Sequence, residues 1–199
     1  MTNQINMKRV SVFCGSSFGA TSVYKDIAFE LGRTLALQGI GVVYGGANVG
    51  LMGAVADGAL AENGEVIGVL PHFLQRKELA HTRLAELHLV ETMHERKLKM
   101  NELCDGVIAL PGGMGTLEEL FEMLTWGQLG LHSKPVALLN AEGFYDTLLT
   151  FLQEMVQKGF LREENRSMLL VGTSPSDTLQ QMRSYEPRPV AKWITPQTS

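Results

Sequence analysis

"DGVIALPGGMGTLEELFEMLTWGQLG", residues 105–130, decides how the chain folds. "DGVIALP" (105–111) is a short, almost wholly apolar run, as a strand buried on both faces requires. "PGGMGT" (111–116) breaks it with a proline and glycines, and "GTLEELFEMLTWGQLG" (115–130) reads as a helix. The same succession recurs on either side. "RVSVFC" (9–14) precedes the turn "GSSFGAT" and a helix from about Ser22 to Gln38. "IGVVYGG" (40–46) leads into "NVGLMGAVADGALAENG" (48–64), a helix stopped at Gly64. "EVIGVLP" (65–71) and "ELHLVE" (86–91) are further strands, and "TMHERKLKMNELC" (92–104) is the helix after the second. Between them "HFLQRKELAHTRL" (72–84) is polar and reads as a loop or short helix near the ligand face. "KPVALLN" (134–140) and "SMLLVG" (167–172) complete the strands, and "GFYDTLLTFLQEMVQKGF" (143–160) and "SPSDTLQQMRSY" (174–185) the helices.

Apolar strands alternating with helices predict a mostly parallel sheet covered on both faces, a doubly wound α/β domain. No linker, internal repeat or low-complexity tract interrupts it, so one domain spans 1–185, and the proline-containing "EPRPVAKWITPQTS" (186–199) forms a tail. In such sheets ligands bind outside the carboxyl ends of the strands, near a topological switch point. Three predicted strand ends carry small-residue turns: "CGSS" (14–17), "GGANVG" (45–50) and "PGGMGT" (111–116).

Composition removes several classes of function. The 199 residues are 45% hydrophobic and 19% charged, with a net charge of −4. No basic stripe appears, which argues against nucleic acid and membrane surfaces as partners. The stretch "MTNQINMKRV" lacks the apolar core of a signal peptide, and no apolar run is long enough to span a membrane. Cys14 and Cys104 show no C-x-x-C or metal spacing and read as reduced, buried thiols, so a soluble cytoplasmic protein is expected. His72, His81, His88, His94 and His132 show no ligand spacing either, and a metal site is not expected.

The glycine turns fit phosphate better than dinucleotide. "GGANVGLMG" does not follow G-x-G-x-x-G, no ribose-binding acid ends the strand before it, and no P-loop sequence occurs. Gly45, Gly46 and Ser16 stand in such turns, Ser16 without the G-x-S-x-G context of a nucleophile. In "PGGMGT" the N–H groups of Gly112, Gly113, Gly115 and Thr116 converge at a helix N-terminus, whose partial positive charge attracts anions. Glu118 and Glu119 follow at once, which raises a conflict: donors for an anion stand beside two carboxylates. Two readings of Glu119 are open. Thr116-x-x-Glu119 matches a capping box; alternatively the carboxylate belongs to a site.

A second constellation bears on that choice. "TMHERKLKMNEL" carries its own T-x-x-E box at Thr92 and Glu95. At helical spacing Arg96 shares a stripe with Met100 and Leu103, and Lys97 one with Met93, Met100 and Cys104. A guanidinium on the apolar side needs a carboxylate or phosphate, and Arg holds either bidentately. A surface Arg whose stem covers Met100 is the plainer alternative.

"PGGMGTLEE" (111–119), preceded by "MHERK" (93–97), resembles the Lonely Guy family of cytokinin-activating phosphoribohydrolases, whose members often carry the label lysine decarboxylase-like. The likeness extends through "FCGSS" (13–17), "VYGGANVGLMG" (43–53), "GVLP" (68–71) and "TWGQLGLHSKPV" (125–136). It implies a Rossmann-like homodimer without metal or cofactor. The implied reaction hydrolyses cytokinin riboside 5′-monophosphates, and in bacterial relatives AMP, to free base and ribose 5-phosphate. By position, the catalytic pair falls on Arg96 and Glu119. The implied substrate contacts are Glu78, Lys97, Thr125 and the run Gly113, Met114, Gly115, Thr116, Leu117 and Glu118.

Cleavage of an N-glycosidic bond resolves the conflict of charges. The ribose becomes cationic in the transition state while its phosphate stays anionic, so one ligand calls for a carboxylate and for anion donors. A nucleotide-sensing or cofactor-carrier protein of the same fold is the competing expectation; it would need the glycine turn but not Glu119. For the homodimer, "LTWGQLGLH" (124–132) places Trp126, Leu129 and Leu131 near the end of the motif helix.

Overall fold

The computed structural model describes residues 5–74 and 81–187. The elements are, in chain order, β1 (Arg9–Phe13), α1 (Ser22–Leu37), β2 (Gly41–Tyr44), α2 (Gly50–Ala61), β3 (Val66–Pro71), β4 (Glu86–Val90) and α3 (Met93–Leu103). They continue with β5 (Gly106–Ala109), α4 (Met114–Gln128), β6 (Val136–Leu139), α5 (Asp146–Gln157), α6 (Glu163–Arg166), β7 (Leu169–Gly172) and α7 (Pro175–Arg183). All seven strands run parallel in one sheet of order β4-β3-β2-β1-β5-β6-β7.

Strands β2, β3, β5 and β6 are buried along their whole length, which is why "GVVY", "GVIA" and "VALL" read as continuous apolar runs. Successive side chains point to opposite faces. Val10, Val12, Val42 and Ile108 pack with α1, α2 and α7, while Phe13, Val43, Val107 and Ala109 pack with α3, α4 and α5. Edge strand β4 differs, leaving Leu87 and Leu89 exposed. Among the described residues no helix is long and apolar enough to cross a membrane.

The chain builds outward from β1 through β2, β3 and β4, then returns to the other side of β1 with β5. The carboxyl ends of β1 and β5 therefore flank the switch point. Two backbone bonds tie these ends together: the Leu110 N–H donates to the Phe13 carbonyl at 2.9 Å, and the Gly15 N–H donates to the Pro111 carbonyl at 3.0 Å. The turn after β2 joins them, since the Leu51 N–H donates to the Gly15 carbonyl at 3.0 Å. All three small-residue turns thus lie at one edge of the sheet.

Helix α5 starts at Asp146, three residues after the start expected at Gly143. Asn140 explains the delay: its Oδ1 accepts from the Tyr145 N–H and its Nδ2 donates to Asp146 Oδ1, both at 2.7 Å. Glu142 and Gly143 meanwhile take left-handed conformations, with φ of 51° and 68°. The single turn α6, "EENR", has no apolar repeat to announce it. The stretch 75–80 and the tail from 188 onward, with Trp193, lie outside the described residues.

Candidate active site

At the switch point lies a cavity of about 340 Å³. Ser16 reaches it from the β1 turn, Gly45 from the β2 turn, and Gly113, Met114, Gly115, Thr116, Glu118 and Glu119 from the start of α4. Arg96 enters from α3. Residues far apart in sequence meet here because the parallel topology delivers every strand's carboxyl end to the same edge.

Arg96 is buried, and its guanidinium is held from two sides. Nε donates to the Val69 carbonyl at 3.1 Å, and Nη1 lies 3.7 Å from Glu119 Oε1. Gly45 makes room for it: a Cβ at that position would stand 1.9 Å from Arg96 Nη2. The carboxylate expected for a cation on the apolar side of α3 is therefore Glu119, one full element away.

Glu119 is itself buried. Burial pushes its carboxyl up to about 7, against the opposing pull of Arg96 and with a further push from the neighbouring Glu118. Near neutral pH the group is present in both protonation states, as a proton-transferring group requires. The Cys14 thiol lines the same cavity; burial, with the Glu119 charge beside it, pushes it far above the ordinary thiol range, and it stays protonated.

Helix α4 begins at Met114 with Gly113 as its cap residue, and no side chain caps it. This corrects the capping-box reading of Thr116 and Glu119. Thr116 sits at the third helical position and Glu119 lies deeper in the helix, because the chain turns helical directly after the glycines. At Thr92 and Glu95 the cap does form: the Glu95 N–H donates to Thr92 Oγ1 at 3.1 Å, while Glu95 Oε2 accepts from the N–H of Glu91, one residue before the cap, at 2.9 Å. The two identical spacings thus do different work. At α4 no side chain takes up the first-turn N–H groups, and a Cβ at Gly113 or Gly115 would meet nothing within 4 Å.

Not every expected contact reaches the cavity. Lys97 does not line it; its ammonium bridges Glu118 Oε1 at 2.5 Å and Glu122 Oε2 at 3.0 Å. Burial opposes that charge, but the two carboxylates outweigh it and raise the lysine pKa. Gly112 lies behind the lining, where a Cβ would stand 2.1 Å from Thr116 Oγ1. Leu117 packs against the core on the α3–α4 face of the sheet, and Gly46 turns with a φ of 79° beneath Leu87. Thr125 is spent on its own helix, donating from Oγ1 to the Phe121 carbonyl at 2.7 Å, and lines a separate cavity of about 280 Å³. Glu78 lies outside the described residues.

The sequence reading missed the apolar wall. Met52, Met93 and Met100 line the cavity with Cys14. Met93 and Met100 flank Arg96 at helical spacing, which was the available signal; Met52 gave none beyond its glycine-rich surroundings. Among the described residues no group of three His, Cys, Asp or Glu side chains is placed to hold a metal ion.

This geometry can be set beside known proteins. Residues 52–182 match the family described as "Possible lysine decarboxylase". A probable cytokinin riboside 5′-monophosphate phosphoribohydrolase of rice, Oryza sativa subsp. japonica, is 43% identical over 94% of this chain and 77% of its own length. The cytokinin riboside 5′-monophosphate phosphoribohydrolase LOG1 of Arabidopsis thaliana is also 43% identical, over 94% of this chain and 88% of its own. Among solved structures, the molybdenum cofactor binding protein of Rippkaea orientalis superposes with a TM-score of 0.67 at 25% identity, over 90% of this chain and 98% of that one. That likeness is one of fold, while the plant enzymes share nearly half the residues along almost the whole chain. On those matches, and with the glycine turn, Arg96 and Glu119 gathered in one cavity, the chain belongs to the cytokinin riboside 5′-monophosphate phosphoribohydrolase family.

Proposed function

We propose that the protein hydrolyses the N-glycosidic bond of adenine-type nucleoside 5′-monophosphates, cytokinin riboside monophosphates and AMP among them. The products are the free base and ribose 5-phosphate. One observation carries the reading: a buried carboxyl poised at about 7 and an arginine 3.7 Å from it share a cavity with an uncapped helix start.

The uncapped N–H groups of α4 receive the 5′-phosphate, attracted by the helix dipole. In hydrolysis the bond between C1′ and the base nitrogen breaks, and its electron pair leaves with the base. The oxygen of water bonds to C1′. Ionised Glu119 stabilises the positive charge that develops on the ribose and takes the proton released by the attacking water; that proton passes on to the departing base, which leaves neutral and restores the carboxylate. Arg96 holds the Glu119 carboxylate in place and supplies a cation beside the substrate's phosphate. Lys97 neutralises Glu118, so that the mouth of the site does not repel an anion.

A homodimer belongs to the same proposal, supported by exposed apolar residues around α4 and α5. So does a cytoplasmic setting, which the two buried free cysteines favour. The likeness to a molybdenum cofactor binding protein raises a second reading, a carrier without turnover. Such a protein would have no use for a carboxyl poised at about 7.

The test is incubation with AMP and with isopentenyladenosine monophosphate in metal-free buffer containing EDTA, followed by separation of base and ribose 5-phosphate. Release of both products in equal amounts is expected, with adenosine a poor substrate. Tight binding of AMP without any release of adenine would instead establish the carrier.

A further inference from the structure

Tyr145 belongs to the loop between β6 and α5, and it does not line the active-site cavity. Its ring is nonetheless almost wholly buried, and its hydroxyl donates to the Leu110 carbonyl at 2.6 Å. Leu110 is the last residue before "PGGMG", so this bond falls on the peptide from which the glycine turn departs. The other hydrogen bond at this position, from the Leu110 N–H to Phe13, ties the turn to β1. Tyr145 supplies the matching restraint on the carbonyl side.

The phenol is fixed in turn by its surroundings. Asn140 accepts from the Tyr145 N–H at 2.7 Å and grips Asp146 with its amide. The Tyr145 ring meets Phe144 edge-on at 4.9 Å, and Phe144 meets Tyr24 edge-on at 5.9 Å. Tyr24 closes over the β1 turn, where a Cβ on Gly19 would stand 2.8 Å from its ring. A single loop therefore braces both turns that flank the switch point. Burial keeps the phenol protonated far above neutral pH, so it remains a donor wherever the protein works.

We propose that Tyr145 is a positioning residue: through its bond to the Leu110 carbonyl it sets the glycine turn in the shape that holds the substrate's phosphate. The inference rests on the reading that this turn receives the 5′-phosphate. A turn built from Gly112, Gly113 and Gly115 has little stiffness of its own, and donors for an anion bind well only when they are held in place beforehand. Tyr145 supplies from outside the cavity the order that the glycines lack.

The experiment is Tyr145→Phe, which removes only the hydroxyl. Ribose 5-phosphate and adenine are titrated separately by calorimetry, and kcat and KM are measured for AMP. Affinity for ribose 5-phosphate should fall about tenfold, the scale of one buried hydrogen bond, while adenine binds as before. KM for AMP should rise by a similar factor with kcat within about twofold, because the phosphate is held alike in ground and transition states. A purely structural bond would lower Tm and leave the ribose 5-phosphate affinity unchanged, and that result overturns the inference. If Tyr145→Phe does not fold, Asn140→Ala takes its place, with a loss of ribose 5-phosphate affinity of about threefold expected and an unchanged affinity counting against. Wild-type protein that binds no ribose 5-phosphate would instead defeat the functional reading itself, which a failure confined to the variants would leave standing.

Discussion

Glu119 carries the greatest weight of any single residue, because its burial and its chemistry pull in the same direction. Its carboxyl ionises around neutral pH rather than near 4.5, chiefly because it is buried. If the ionised form serves the reaction, kcat/KM for AMP should rise as pH increases through about 7 and level off above. The substrate's phosphate titrates near 6 and adds a rise of its own, so Glu119→Gln supplies the control. That variant should lose about 100-fold or more in rate, keep its affinity for AMP, and show only the phosphate's titration in what rate remains. A rate in Glu119→Gln close to wild type would remove the carboxyl from the chemistry. Arg96→Ala should behave differently, losing affinity and rate together, since it touches both the carboxylate and the region where an anion enters.

At the scale of the element, the start of α4 leaves stability unclaimed. Gly113 stands at the cap position in an extended conformation, φ −94° and ψ −155°, that any residue adopts. Serine there would cap the helix from its hydroxyl, a gain of about 0.3 kcal/mol over the glycine. The same hydroxyl would occupy an N–H that the phosphate needs. Gly113→Ser is therefore expected to raise Tm and to raise KM for AMP several-fold, and a gain in Tm with unaltered KM would show that the helix start is not the phosphate site. Gly45→Ala tests the opposite side of the cavity. Its methyl would displace the flexible end of Arg96, so the protein should fold while turnover drops at least about tenfold. The strands and helices themselves were legible from periodicity, because central parallel strands are apolar throughout and the helices are long. Local spacing alone does not mark out Glu119, since Thr92–Glu95 and Thr116–Glu119 have the same pattern and in the sequence only the family resemblance distinguishes them. What separates them is where the chain turns helical, and for α4 that is set by the glycines after β5. The family resemblance names Arg96 and Glu119 together, but the residues alone state only a need for some carboxylate at Arg96. Which one answers it depends on how α3 and α4 pack across the sheet, and no local pattern records that.

For the whole molecule, the same buried carboxyl makes stability depend on pH. The folded-state pKa of Glu119 is raised, to about 7 from 4.5, so folding takes up a proton in that interval. Its favourable contribution is complete below about 4.5 and disappears as pH rises through about 7. Glu119→Gln abolishes the effect, and the Tm of the variant relative to wild type should climb between pH 5 and pH 8; a difference that stays flat would contradict the raised pKa. Assembly is the remaining property at this scale. Trp126, chosen from sequence as part of an interface, is partly spent on packing against the core. Exposed apolar side chains on or just past α4 and α5 are Leu131 at 55%, Phe151 at 57% and Phe160 at 84%. Phe160 also stands at the cavity between α4 and α5, whose wall includes Phe121, Leu124, Leu152 and Met155. Apolar side chains gathered beside an open cavity are what an interface core consists of, and they cost solubility if left bare. Light scattering at micromolar concentration should give twice the 21.8 kDa of one chain. Phe160→Asp places a charge in the middle of that patch without touching the active-site lining, and should return the mass to 21.8 kDa with the fold intact. A wild-type protein already at the single-chain mass would assign these residues to the surface of a monomer.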